Sequence, residues 1–288
     1  DHRLSEPVQC PVSEQHPQTP DFESIAAEVY RDPVSASLDK EAGYAITPSS
    51  DGVSLDAQAA LASYDAAAEG TDISVPLTFT SPAITTADME ENLFSDVLGT
   101  YESRVTGDAG KKHNISLAAG FCDEVILLPG ETFSYNEHIG NTTLERGFEL
   151  ANAYQDGDVV KEPGGGVCQV SSTIYSAVLQ TDLEVIQRRF HSMIVTYVPY
   201  GMDATVSWPE PDFKFQNNHQ YPIKLSVKYE NDVVSVQIIG TKESDITVKC
   251  VVEMTGELSC KTYREYYDAG GNLLEREYID SSRYKPLP

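Results

Sequence analysis

From Glu184 onward the chain consists of short runs of strand-forming residues. "EVIQRRFHSMIVTYVP", "DATVSW", "YPIKLSVKYE", "DVVSVQIIG", "DITVKCVVEM" and "KTYREYYD" succeed one another. Pro-Tyr-Gly, Pro-Glu-Pro, Glu-Asn-Asp and Asp-Ala-Gly-Gly-Asn break them apart. Strands joined by turns this short pair with their neighbours, so the C-terminal half is expected to be antiparallel sheet, with a hairpin loop at Asp268 to Asn272.

Upstream the period changes. "DFESIAAEVY" spaces Phe22, Ile25, Ala26 and Val29 as one helical face, and "LDAQAALASYDAAAEG" is a helix closing at Gly70. "AGYAITPSSDGVSLD" suggests two short strands around a Ser-Asp-Gly turn, "DISVPLTFTSP" a further strand, and Thr86 ahead of Glu90 a capped helix start. The fold class is therefore α+β. With 288 residues and 40% hydrophobic composition, two domains with a sizeable core are expected. The expected layout is a flexible leader over 1–20, a small α+β domain over 21–108, a second domain over 109–240, and a C-terminal β-hairpin extension over 241–288. "TGDAGKKH" marks the boundary between the first two domains.

The formal net charge is -25. Such a chain is repelled by nucleic-acid phosphates and by anionic membrane surfaces, so nucleic acid is excluded as a partner. No apolar run approaches the length of a membrane span, and "DHRLSEPVQC" has none of the apolar core of a signal peptide. There are five cysteines, Cys10, Cys122, Cys168, Cys250 and Cys260, so at least one is unpaired within the chain. Cys122 falls on one helical face with Ile115, Ala118, Ala119 and Val125 and is expected to pack as a small hydrophobe. Cys250 and Cys260 flank a strand–turn–strand segment and could form a disulfide if the register allows it.

"GGGVCQVSSTIYSAVL" places a thiol behind three glycines. Val167, Val170, Ile174 and Val178 recur at helical spacing, so a buried helix begins near Cys168. A helix N-terminus offers unpaired N–H groups and partial positive charge, both of which favour a thiolate. Gly164, Gly165 and Gly166 would let a substrate approach the sulfur. Gln169 and the first N–H groups of the helix could hold an oxyanion. The bland alternative is that Cys168 is a buried packing residue and the glycines only form a tight entry turn.

A reactive thiol needs a base, and His191 in "RRFHS" follows the helix; Asp203 in "GMDATV" could orient it. If Ile194–Val198 and Asp203–Trp208 made a tight hairpin, however, His191 would lie roughly 20 Å from Asp203. The triad then needs His191 at a bend, or Glu137, Asp212 or Asn217 as orienter. Arg188 could bind a substrate carboxylate or be salt-bridged within this acidic chain. "NIS" and "NTT" match the glycosylation sequon, a short and common pattern. His138, His219, Asp212 and Glu137 lack metal-ligand spacing, so neither metal nor cofactor is expected.

These segments also carry a likeness. "NISLAA", "LLPGETFSYNEHIG", the glycine–cysteine run, "RRFHSMIVTYVPYGMDATV" and "PDFKFQNNHQYPIKL", in that order, resemble the VanW family, named for an accessory protein of vancomycin-resistance clusters. The likeness covers about residues 114–240. The preceding block resembles a peptidoglycan-binding domain that often precedes VanW domains, and the closing "YREYYDAGGNLLEREYIDSSRYKP" resembles the β tail common after them. The resemblance implies a bacterial, mostly Gram-positive, cell-envelope protein lying outside the membrane, with an exported N-terminal anchor. Gly164–Gly166, Cys168, Gln169, Ser171, His191, Asp203 and Asn217 match the family pattern. Lys111-Lys112-His113 stands where the family has an arginine, which puts an anion contact there in doubt.

The expected function is an extracytoplasmic protein that binds peptidoglycan or its peptide precursors, linked to glycopeptide resistance. Cys168 would act on a peptide or amide bond, with His191 as base and Asp203 as orienter, and Gly164–Gly166, Gln169, Ser171, Arg188, Asn217 and Glu137 in binding. The alternative is a non-catalytic wall-binding or scaffold module in which the glycine loop cradles a ligand carboxylate on the helix N-terminus.

Overall fold

The computed structural model describes residues 19–155 and 158–286. The stretch expected to be a leader lies outside them up to residue 18, and so does Cys10.

The chain divides into two compact units. The first comprises residues up to Ser37 together with Thr47–Thr86, and the second Leu38–Ile46 and the chain from Ala87. The elements run α1 (Phe22–Val29), β1 (Ser37–Asp39), β2 (Ala45–Thr47), β3 (Gly52–Leu55), α2 (Ala57–Ala66), β4 (Leu77–Thr80) and α3 (Thr86–Asn92). Asp21 and Asp56 cap α1 and α2 with their carboxylates, satisfying N–H groups that a helix start leaves open. Phe22 meets Tyr64 edge-on at 5.9 Å, which joins the two helices. The segments either side of the Ser-Asp-Gly turn do not pair with each other. β2 pairs with β1, and β3 with β4.

The second unit continues with β5 (Asp96–Arg104), α4 (Ala109–Cys122), β6 (Ile126–Leu127), β7 (Thr132–Ser134), α5 (Tyr135–Ile139), β8 (Leu150–Gln155), β9 (Asp158–Pro163), α6 (Val167–Val178), β10 (Glu184–Gln187), β11 (Lys214–Gln216), β12 (Ile223–Glu230), β13 (Val233–Gly240), β14 (Thr247–Gly256), β15 (Ser259–Tyr267) and β16 (Leu273–Arg283). Its central sheet has the order β5-β13-β12-β6 and is antiparallel. Ile223, Leu225 and Val227 on β12 and Val234, Val236 and Ile238 on β13 are buried, as a period of two requires. Against this sheet pack α4, over β12, and α6, across β5 and β13. Ile115, Ala118, Val170, Ile174 and Val178 join the same core. Burying each large aliphatic side chain contributes about 1.5–3 kcal/mol.

Two expectations change here. β5 pairs with β13 along most of its length, so residues 96–104, expected in the first domain, belong to the second unit, as do Leu38–Ile46. The C-terminal extension is a three-stranded sheet, β14-β15-β16, rather than a single hairpin. Its last turn is the expected one: Gly271 has φ 80° and donates to the Asp268 carbonyl at 3.0 Å. In this sheet Cys250 sits opposite Arg264 and Cys260 opposite Met254, so the register keeps the two thiols from facing each other. Both are free, and the disulfide is not formed.

Candidate active site

Every residue of α6 except Cys168 is buried. The helix is sunk in the core, and its second residue is the single place where it opens outward. The glycine run explains how the chain enters so tightly. Gly166 precedes the helix at φ 107°, a left-handed conformation that favours glycine, and no side chain caps the helix. A Cβ on Gly165 would lie 2.7 Å from the Ala151 carbonyl oxygen and 2.8 Å from that of Asn152. One on Gly164 would meet Thr142 Cβ at 2.5 Å, and one on Gly166 Lys111 Cγ at 2.7 Å. The space over Gly164 and Gly165 is filled by protein, so these glycines serve close packing and do not form an open cradle. Asn114, the first residue of the "NIS" sequon, is fully buried and donates to the Glu149 and Gly165 carbonyls, which holds the run in place.

Between Arg188 and Val206 the chain forms neither helix nor strand. It folds back across the start of α6. Ser171 and Ser172 hydroxyls donate to the Ala204 carbonyl at 2.7 and 3.3 Å, and the Ala204 N–H donates to Ser172 Oγ at 3.0 Å. The sulfur of Cys168 lies 3.5 Å from the Val206 nitrogen and 3.3 Å from its carbonyl oxygen, with Thr205 Oγ1 at 3.9 Å. Because this segment is irregular, the hairpin that would have separated His191 from Asp203 does not exist. Asp203 Oδ2 instead accepts both the backbone N–H and Nδ1 of His191, each at 2.7 Å. The other ring nitrogen, Nε2, lies 3.4 Å from the Tyr197 hydroxyl and is the nitrogen left to interact with the Cys168 sulfur.

The electrostatics follow from this contact. Burial alone would raise the Cys168 thiol, but the hydrogen bond and charge of His191, with help from Val206 and Thr205, hold it below its ordinary value. Burial would lower His191. The Asp203 hydrogen bond and the Cys168 sulfur outweigh that and push it up to about 9. Asp203 is 1% exposed. Burial would raise its carboxyl, yet His191 and Arg188 hold it below the usual carboxylate range. The three shifts favour charge on all three groups: the thiol and the carboxyl are held down and the imidazole is held up.

Arg188 is 2% exposed and fully engaged. It donates from Nε to the Asp203 carbonyl, from Nη2 to Asp203 Oδ1, and from Nη1 to Asp280 and Ser282. It therefore holds Asp203 and is not available to a substrate carboxylate. Gln169 points away from the sulfur: its amide donates to Ser103 Oγ and the Arg104 carbonyl of β5, so it cannot serve an oxyanion. Ser171 fastens the helix to the return segment. Asn217 clips a distant loop, donating to the Leu127 and Tyr221 carbonyls. Glu137 is exposed on the first turn of α5, and Asp212 is occupied by Ser134 and Asn136. Of the three residues that took the place of the family's arginine, Lys112 pairs with Asp232 and His113 with the Gly147 carbonyl. Sequence reasoning missed Ser172, Tyr197, Thr205, Val206 and Tyr284, whose hydroxyls and backbone carry no motif. No group of three or more His, Cys, Asp or Glu side chains placed to hold a metal ion occurs among the described residues.

A family model described as "VanW like protein" matches residues 110–239. The chain is 33% identical over 231 residues to "Uncharacterized protein YoaR" of Bacillus subtilis (strain 168), covering 75% of each chain. It is 27% identical over 146 residues to "Vancomycin B-type resistance protein VanW" of Enterococcus faecalis (strain ATCC 700802 / V583), spanning 48% of this chain and 52% of that one. No solved structure matches.

Proposed function

The chain belongs to the VanW family, and on that premise we propose that it is an extracytoplasmic, cell-wall-associated protein that cleaves or transfers a peptide or amide bond of wall peptides through Cys168. Family membership supports a cell-wall or vancomycin-resistance-related role. Among the described residues no helix is long and apolar enough to cross a membrane. The observation that carries the catalytic reading is the Cys168–His191–Asp203 chain at the one open position of an otherwise buried helix.

In this reading the Cys168 thiolate attacks the carbonyl carbon, and the C–S bond forms as the carbonyl π pair moves to oxygen. In the first turn of α6 the Val167 and Gln169 N–H groups already donate to the Gly164 and Gly166 carbonyls at 3.2 and 3.0 Å, so the Cys168 N–H is the donor left for that oxyanion. The His191 imidazolium gives its proton to the leaving amine as the C–N bond breaks, which leaves a thioester on Cys168. Neutral His191 then takes a proton from water, or from an acceptor amine, as that nucleophile attacks the thioester. Collapse expels the thiolate, and the imidazolium is restored for the next cycle. Asp203 keeps Nδ1 protonated throughout and so fixes Nε2 as the working nitrogen. The non-catalytic reading loses its proposed cradle, because Gly164 and Gly165 face packed protein.

The test is the alkylation rate of Cys168 against pH in the wild type and in His191→Ala, followed by turnover of wall peptides. A midpoint well below about 8.5 that the substitution moves upward supports the thiol site. A thiol that reacts only after unfolding would remove the catalytic reading.

A further inference from the structure

The family match ends at residue 239, yet the acid of the site is held by the chain beyond it. Tyr284 is 5% exposed, and its ring lies between Phe190 at 5.8 Å and Tyr200 at 5.4 Å. Its hydroxyl donates to Asp203 Oδ1 and accepts the Gly201 N–H at 2.8 Å. Asp280 and Ser282, on β16, receive Arg188 Nη1 at 3.0 and 2.9 Å, while Nη2 of the same guanidinium reaches Asp203 Oδ1 at 3.0 Å. Thr262 of β15 donates to the Gly201 carbonyl at 3.1 Å. The Lys285 N–H donates at 2.8 Å to the carbonyl of Ser192, the residue after His191.

We infer that the C-terminal sheet is a positioning element of the thiol site: Tyr284 fixes Asp203 directly, and Asp280 and Ser282 fix it through Arg188. Oδ1 of Asp203 is committed to Tyr284 and Arg188, so only Oδ2 faces His191, and the carboxylate presents one orientation. The Gly201 contact anchors the backbone two residues before Asp203, so one hydroxyl holds both the side chain and the turn that carries it. Burial and the adjacent Asp203 carboxylate keep the Tyr284 phenol protonated, which makes it a donor at every working pH. The titratable and charged groups around the site are Cys168 and Tyr175 on α6, Arg188, His191, Tyr197 and Asp203 on the return segment, Tyr135 on α5, and Cys260, Asp280 and Tyr284 from the tail. Of these, Tyr284 and Arg188 touch Asp203 Oδ1.

This inference rests on the thiol reading above, and the experiment separates the two. Cys168 alkylation is followed against pH in the wild type, in Tyr284→Phe, in the double variant Asp280→Ala/Ser282→Ala, and in Tyr278→Phe as a control on the exposed side of β16. In Tyr284→Phe the ring packing stays and the hydroxyl goes. The midpoint is expected to rise by about one pH unit, which is about tenfold less thiolate at any pH well below both midpoints. A smaller rise is expected in the double variant and none in Tyr278→Phe. Unchanged midpoints in both tail variants, with a low midpoint in the wild type, would overturn the inference and leave the thiol reading standing. So would a downward shift in Tyr284→Phe, because Tyr284 would then damp the basicity of Asp203 without positioning it. A wild-type midpoint at the free-thiol value would sink the thiol reading itself.

Discussion

Two helices lie on the central sheet, and each carries a cysteine at one end. Cys122 is the last residue of α4, and Cys168 is the second residue of α6. The two thiols differ in almost everything that sets reactivity. Cys122 is fully buried at the negative end of its helix, and burial, then the neighbouring Asp123 carboxylate, push it far up. Cys168 sits at the positive end of its helix, partly open, and His191 pulls its thiol down. Two thiols in one core are thus tuned apart by which helix end they occupy and what crosses it. Helix position alone is a modest effect, about 0.3–1 kcal/mol, so His191 does most of the separating.

The sharpest way to break this contrast is Cys168→Ser, which should abolish wall-peptide turnover while leaving the fold intact by far-UV circular dichroism. Residual turnover above about 1% of wild type would assign the chemistry elsewhere. Next is His191→Ala. Its Cys168 midpoint should rise to or above the free-thiol value of about 8.5, which narrows the gap between the two cysteines in an alkylation profile.

The pH dependence follows from opposite shifts. The Cys168 value is depressed, so thiolate is lost as pH falls through it. The His191 value is raised to about 9, so the imidazolium that protonates the leaving amine is lost as pH rises through about 9. Turnover should therefore form a bell whose alkaline limb lies near 9, and an alkaline limb near the ordinary histidine value would contradict the Asp203 contact.

Gly165→Ala probes the helix entry: its Cβ meets the Ala151 and Asn152 carbonyls, so a loss of roughly 1–3 kcal/mol is expected in a denaturant titration. The smallest effect on chemistry belongs to Cys122→Ser. It buries a hydroxyl among Ile115, Ala118 and Ala119 at a cost of about 1–3 kcal/mol in stability, yet the Cys168 profile should not move.

The sequence made the two helices and their cysteines visible because both follow from local periodicity. The valine stripe of α6, the apolar face with Cys122 and the glycine run all lie within a few turns of chain. The contact between His191 and Asp203 was not visible, since residues 188–206 carry β-branched and aromatic residues typical of strands and nevertheless fold as an irregular return. That path is set by the serines of α6 and by Arg188, which hydrogen-bond its backbone over long separations. Gln169 is adjacent to Cys168 in sequence, but a helix turns neighbours about 100° apart, and so one faces β5 while the other faces outward. Arg188 could be read as a ligand or as a structural ion pair, and only its burial decides for the latter. The membership of β5 and the role of Tyr284 depend on pairings across more than 80 residues, which no local pattern records. The Cys250–Cys260 bridge failed on register: Cys250 lies opposite Arg264, four residues along β15 from Cys260, and no local pattern fixes that offset.

The pairing of β5 with β13 has a practical consequence for anyone who trims the chain. A fragment cut to the family-matched residues 110–239 would lose the partner strand along β13 and expose a long row of open backbone donors and acceptors flanked by Val234, Val236 and Ile238. Such an edge is a template for self-association, so a fragment of that extent is destined to pair with copies of itself before any property of the site can be measured on it.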